Sequence, residues 1–182
     1  FFKQKTAYEI TYGDWSSDVC SSDLSVRLRS SALQGDNKVL IGGNFTSVNG
    51  VAKTNLARLN ADGSLDSSFD ARVGGSYPTV WALGIQSDGK ILVAGGFTAI
   101  NAVARTKLAR LNGDGSLDNS FVPALTPEQG SVECIALQSD GKIVLGGQWN
   151  PPMGPPLRAY VVRLNADGSA DALRGGVGRR RS

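Results

Sequence analysis

An all-β fold of tandem four-stranded repeats is what this sequence predicts, and three observations carry it. The stretches ALQGDNKVLIGG, GIQSDGKILVAGG and ALQSDGKIVLGG recur with Gln34, Gln86 and Gln138 spaced by 52 residues, and a fixed period of this size marks a repeat architecture. Each repeat divides into short β-compatible runs between turn residues. The 23 glycines among 182 residues follow no collagen-like period, so they imply many tight turns, which suits short strands better than helices.

Within the second repeat the strand-sized runs are TVWALGIQ, KILVAGGF, KLARLN and SLDNSF, giving four strands per repeat. Asp88-Gly89 and Asp140-Gly141 lie between the first two runs, where a two-residue hairpin with positive φ at both central positions is expected. In the first copy that glycine is replaced by Asn37, the next best tolerated residue at positive φ. Asp62-Gly63, Asp114-Gly115 and Asp167-Gly168 predict the same hairpin between the third and fourth runs. The second strand ends in the small pairs Gly42-Gly43, Ala94-Gly95 and Gly146-Gly147, followed by Phe45, Phe97 and Trp149. Glycine inside a strand suggests close backbone approach, so neighbouring repeats are expected to pack here with the aromatic filling the gap. In the first strand, Leu83 and Ile85 against Val80, Ala82 and Gly84 place large side chains on one face and small ones on the other.

The later half of the unit repeats in step: LARLNADGSLDSSF from Leu56 and LARLNGDGSLDNSF from Leu108 are also 52 residues apart, while VVRLNADGSAD begins at Val161, one residue late. The extra residue falls in NPPMGPPL, which marks a surface loop where insertion is tolerated. Pro151 to Pro156 could dock a groove-type partner, though a stiff surface insertion is the simpler reading.

Four strands at this spacing lie near the values of about 40–50 residues found for propeller blades. The expected architecture is therefore an incomplete β-propeller of three blades, with a β-solenoid-like repeat array as the alternative. The order A-[IL]-Q-x-D-G-K-[IV]-L-[VL]-x-G-G-x-F, then A-R-L-N-x-D-G-S-L-D-x-S-F, resembles the delta-60 repeat of bacterial β-propeller proteins over residues 31–171. It departs at the SAD of the third copy and beyond Asp171. The resemblance implies a larger bacterial protein, secreted or attached to the cell surface, and brings no catalytic residue with it. The divisions read from the sequence are a leader at 1–24, repeats at 25–79, 80–131 and 132–171, and an off-pattern tail at 172–182.

Both ends stand apart from the repeats. Residues 3–24 resemble a translated sequencing-library adapter: KQKTAYEI from Lys3 and DWSSDVCSSDL from Asp14 correspond to its two arms in one continuous frame. The tail ALRGGVGRRRS replaces the S-x-x-F continuation of the earlier repeats and looks like a frame slip or second artefact rather than a basic arm. The leader holds two lysines and four acids and the tail four arginines, which leaves 13 bases against 12 acids, net +1, over residues 25–171. A near-neutral repeat region with interspersed charges lacks the footprint of a nucleic-acid partner. No apolar run approaches the roughly 18 residues needed to span a bilayer, and the start lacks the basic-then-apolar order of a secretory signal.

Candidate chemistry is sparse. The chain has no histidine, which removes the commonest general base and metal ligand. Cys20 lies in the leader. Cys134 stands where the preceding repeat has Ala82, a small-residue slot in a buried strand. Arg58, Arg110 and Arg163 could pair with Asp66, Asp118 and Asp171, but a pair demanded in every repeat reads as a cross-strand ion pair rather than an acid and base needed once. The segments from Asn60, Asn112 and Asn165 alternate oxygen ligands like a calcium loop, yet their glycine falls at position 4 where an EF-type loop wants it at about 6 with a bidentate acid at 12; they read as hairpin turns. Asn44-Phe45-Thr46 fits a glycosylation pattern but lies in the packing element. No catalytic, metal or cofactor residue is assigned. The expected function is a non-catalytic scaffold or binding module whose ligand or protein partner is unknown and whose remaining blades belong to a parent chain. The alternative is a group of blades from an enzyme whose active site lies elsewhere. An open three-blade arc is expected to leave bare apolar faces, with Phe45 and Trp149 on them, and to self-associate.

Removing residues 1–24 is expected to leave the melting temperature unchanged within a few degrees, or to raise it. A larger drop in thermal unfolding would show that the leader supports the fold.

Overall fold

The apolar runs flanking each inner turn fold as an antiparallel hairpin, and the LARL-type run adds to its second arm. In the computed structural model the described residues are 27–125, 131–149 and 158–171, without the side chains of 149 and 158–160. The first repeat joins β1 (Arg27–Leu33), β2 (Val39–Asn44) and β5 (Leu56–Leu59), with a small hairpin of β3 (Ser47–Val48) and β4 (Val51–Ala52) before β5. After β6 (Val73–Gly74), the second repeat joins β7 (Val80–Ile85), β8 (Ile91–Gly95) and β11 (Leu108–Leu111), with β9 (Ala99–Ile100) and β10 (Val103–Ala104) as its small hairpin. The third joins β12 (Ser131–Leu137), β13 (Ile143–Trp149) and β14 (Arg158–Leu164). The middle strand of each sheet is the apolar run that follows the inner turn.

The expected fourth strand is reduced to one bridge per repeat: Leu59 with Leu65, Leu111 with Leu117, and Leu164 with Ala170. The aspartate that follows ends it. The Asp66 N–H donates to the Arg58 carbonyl at 2.9 Å, but the Asp66 carboxylate then accepts the Ser68 N–H at 2.9 Å and bends the chain away. Beyond this bend β6 pairs with β9 of the next repeat, so the first repeat lends a short strand to the second.

The turns differ from the expected two-residue type. Gln86 N–H donates to the Lys90 carbonyl and Gly89 N–H to the Gln86 carbonyl, both at 2.9 Å, and only Gly89 has positive φ, +81°. This is a three-residue loop, a type I turn closed by a left-handed residue. The aspartate is needed for its carboxylate, which accepts the Lys90 N–H at 3.1 Å. Asn37 takes the left-handed position in the first repeat with φ of +62°.

The middle strand is buried on both faces, which explains its unbroken apolar run. Ile91 and Val93 pack with Leu40, Leu56 and Phe69 of the first repeat. Leu92 and Ala94 point the other way, toward Val132, Ile143 and Leu145 of the third. The first strand does not keep the simple alternation expected of it. A bulge between Val80 and Ala82 shifts the phase, so Val80 joins Leu83 and Ile85 on the side of the first repeat while Ala82 faces the third; an extra residue on one strand does this.

That bulge divides the work of the small pairs. A Cβ on Gly42 would lie 2.5 Å from Cγ1 of Val80, so the first member admits the neighbouring repeat as expected. A Cβ on Gly43, Gly95 or Gly147 would lie 2.1, 2.0 or 1.9 Å from the carbonyl oxygen of Arg27, Thr79 or Ser131, at the start of the strand that pairs with it, so the second member admits the bulged strand instead. Phe45 is not on a bare face: it is 2% exposed and packs with Val39, Ile41, Val48, Ala57 and Leu59. The leader, the tail, Cys20, the loop at 151–156 and the Trp149 side chain lie outside the described residues.

The turn glycine before the fourth segment gives an internal control. At Gly63 a Cβ would meet nothing within 4 Å, whereas at Gly168 it would lie 2.8 Å from the ring of Phe121 in the preceding repeat. Both have positive φ, +85° and +90°, which asparagine tolerates. Gly63→Asn is therefore expected to cost about 1 kcal/mol or less and Gly168→Asn a further 1–3 kcal/mol, measured by urea unfolding. Equal losses would mean that this turn adds nothing to the packing between repeats.

Candidate functional site

The most concentrated chemistry in the chain is a charged cluster that recurs in each repeat. β5 ends in Leu-Ala-Arg-Leu, and alternation that buries Leu56 against the next repeat also carries Arg58 inward. Its Nε donates to Oδ2 of Asp66 at 2.8 Å, and the same oxygen accepts from Lys38 Nζ at 2.8 Å. The other carboxylate oxygen accepts from the Ser68 hydroxyl at 2.6 Å. The guanidinium lies 4.8 Å from the Phe69 ring centroid, a cation–π contact. In the second repeat Arg110, Asp118, Lys90, Ser120 and Phe121 repeat the arrangement, with Arg110 to Asp118 at 2.8 Å and Phe121 at 4.6 Å. Arg163 likewise pairs with Asp171, joined by Lys142 at 3.5 Å. The ion pairs expected from sequence are therefore present in all three repeats.

What the sequence did not disclose is where the rest of the guanidinium goes. Arg58 Nη1 donates to the Gly113 carbonyl, in the outer turn of the next repeat. Arg110 Nη1 donates to the equivalent Ala166 carbonyl at 2.8 Å, and Gln86 Nε2 donates to it at 3.3 Å. The arginine thus ties its own aspartate to the following repeat. The signal was the recurrence itself: Gln34 and Lys38, or Gln86 and Lys90, keep a fixed offset from each arginine.

The small hairpins add a second tie. Asn101 accepts the Arg72 N–H at 2.8 Å and donates to the Gly115 carbonyl at 3.0 Å. Its left-handed φ of +49° places the amide between the two repeats.

The segments read as hairpin turns rather than calcium loops are consistent with that reading. Asp62 accepts both the Ser64 hydroxyl, at 2.6 Å, and the Ser64 N–H, at 2.9 Å, and these bonds hold its carboxyl below its ordinary pKa. Among the described residues no three His, Cys, Asp or Glu side chains are grouped to hold a metal ion. Cys134 corrects the expectation of a buried slot: it is exposed, because the side that buries Ala82 against the third repeat has no described neighbour in the third repeat itself. A groove of about 600 Å³ opens between the second and third repeats, lined in part by Gln86, Asp88, Arg110, Gln138 and Asp167. It brings together carboxylates and amides with Arg110, whose donors are already engaged. Among the described residues there is no helix long and apolar enough to cross a membrane.

The lysine beside Asp66, then the Ser68 and Arg58 bonds, hold that carboxyl well below the usual carboxylate range against the opposing effect of burial, and Lys90, Ser120 and Arg110 do the same for Asp118. A carboxyl whose folded pKa lies below its unfolded one stabilises the fold fully above about pH 4–5 and loses that contribution as pH falls toward the folded value. Stability is therefore expected to drop below about pH 4. Asp118→Asn leaves Arg110 buried without its counter-charge, at a cost of about 3–5 kcal/mol at pH 7, and should flatten the acid limb. Urea unfolding at pH 7 and pH 3 checks both, and an unchanged acid limb would assign the loss to other carboxyls.

Residues 34–69, 86–121 and 138–173 each match the family described as Domain of unknown function (DUF5122) beta-propeller. No curated protein and no solved structure matches the chain. The three matches begin at Gln34, Gln86 and Gln138, the glutamines that set the period, and together they span more than half of the sequence. The chain belongs to this beta-propeller repeat family.

Proposed function

We propose that this chain is a non-catalytic scaffold or binding segment of a larger β-propeller protein. One observation carries the reading: the cluster of charged groups recurs from repeat to repeat, and in the first two repeats its arginine is taken up in joining one repeat to the next. A group needed for chemistry occurs once, with an atom left to act on a substrate; Arg58 and Arg110 are the opposite case. The groove between the second and third repeats combines apolar residues such as Ile85 and Leu137 with the polar Asp88, Gln138 and Asp167, and it is a place where a ligand would bind. Likeness to delta-60 repeats supports a bacterial parent placed outside the cell or on its surface, bound to a ligand or protein partner rather than to nucleic acid.

The test is turnover by the full chain on chromogenic esters, phosphates, glycosides and peptides. No rate above the uncatalysed one is expected. A rate lost in Asp88→Asn or Asp167→Asn, with the fold intact by circular dichroism, would make the groove an active site and overturn the proposal.

A further inference from the structure

Residues copied in every repeat serve the fold, so a position that is equivalent in all repeats, open to solvent and filled differently each time is a place for recognition. The bulge of the first strand is such a position. β1, β7 and β12 each carry one unpaired residue there, between Leu28 and Ser30, between Val80 and Ala82, and between Val132 and Cys134. The three are Arg29, Trp81 and Glu133, spaced by 52 residues: a cation, an indole and a carboxylate. A bulge re-aims the side chain it carries. Adjoining strands set the three in a row, because the Leu83 N–H donates to the Ser30 hydroxyl at 3.0 Å and a Cβ on Gly84 would lie 3.1 Å from Cγ2 of Ile135.

Trp81 belongs to the middle repeat, with a repeat packed on either side, and is still only half-buried. Its openness comes from the bulge and not from an end of the chain. The ring lies over Gly96, where a Cβ would be 3.2 Å from Cζ2 of the indole and 3.9 Å from the Tyr77 carbonyl oxygen. Tyr77 itself is 90% exposed. Where the second repeat has Gly96 under the ring, the first and third have the exposed amides of Asn44 and Gln148. Among the described residues the Trp81 indole N–H, the Arg29 guanidinium and these two side-chain amides have no hydrogen-bond partner, and Glu133 uses one oxygen to accept the Ser131 hydroxyl at 2.7 Å. Arg58 and Arg110, with their donors spent between repeats, are the opposite case.

We propose that this row is a binding site for a neutral saccharide, with one pyranose ring stacked on Trp81 and its neighbours held by Tyr77, Arg29 and Glu133. The electron-rich face of an indole attracts the polarised C–H bonds of a sugar ring. Guanidinium, carboxylate and amide groups between them donate to and accept from hydroxyls. A row that carries both signs of charge matches neither a polyanion nor a polycation. The site stands at the end of the sheets away from the Asp-Gly turns, apart from the groove between the second and third repeats. It goes beyond the scaffold reading, and its failure leaves that reading standing.

Isothermal titration of the full chain with cellohexaose, xylohexaose, mannohexaose and chitohexaose is expected to show saturable binding of at least one. Trp81→Ala is expected to weaken that binding about tenfold or more, as loss of a central aromatic anchor does. Tyr77→Ala and Glu133→Gln, which change exposed side chains, are expected to weaken it several-fold, and Trp81→Phe, which keeps a ring, to recover most of the loss. Circular dichroism checks each fold, and Tyr77→Ala with Glu133→Gln decides if Trp81→Ala does not fold. Binding of none of the four saccharides, or binding that these variants leave unchanged, overturns the proposal. Capture of peptides from a random array through Trp81, without saccharide binding, overturns it as well and gives the row to a protein partner.

Discussion

The guanidinium groups of Arg58 and Arg110 are buried cations that must be matched on every side, and the way they are matched sets the arrangement of the repeats. One edge of each group meets the carboxylate of its own repeat, one face meets a phenylalanine ring, and another edge meets a backbone carbonyl of the next repeat. A planar group with five donors can satisfy these partners at once, which a lysine ammonium cannot. The aspartate at its centre also receives the lysine of the inner hairpin and ends the fourth segment by capturing the serine N–H two residues on. A shift of one repeat against the next would leave a buried charge unpaired, which is costly, so this one group holds strand ending, turn position and repeat registry together.

Around it the apolar core is divided into layers between repeats. Alternate residues of β8 serve two different layers, Ile91 and Val93 on one side and Leu92 and Ala94 on the other. Close approach of the sheets then depends on places without side chains. Gly42 admits Val80, and Gly168 admits the Phe121 ring. The bulge in each inner strand moves Val80 onto the side of the preceding repeat and brings a carbonyl oxygen over the second glycine of the pair. The device that tilts the inner strand into its neighbour is thus the one that forbids a side chain opposite it.

Polar groups that look available in the sequence, the Asp-Gly turns and the Arg–Asp pairs, are held in Asx-type turns or in bonds between repeats. A hollow lined in part by Gln86, Asp88, Gln138 and Asp167 lies where the second and third repeats adjoin, and its outline depends on the registry fixed by the arginines.

The sequence by itself determined the period, the all-β class, the positions of six turns and the pairing of arginine with aspartate. Each of these is local or is copied in every repeat, so a single chain displays it three times. It misjudged the turn type, because a positive φ at the Gly89 position alone and at both central positions call for the same Asp-Gly pair. It overestimated the fourth strand, because SLDSSF has strand composition and only the Asp66 side chain diverts it. It placed Val80 on the wrong face, because a bulge leaves no mark in alternation, and it took Cys134 as buried by analogy with Ala82, although burial there is conferred by the next repeat. Only the tertiary structure decided which atoms cross between repeats. The Arg58 guanidinium and the Gly113 carbonyl lie 55 residues apart, and no local pattern says that a backbone oxygen on a distant turn completes the shell of a buried cation.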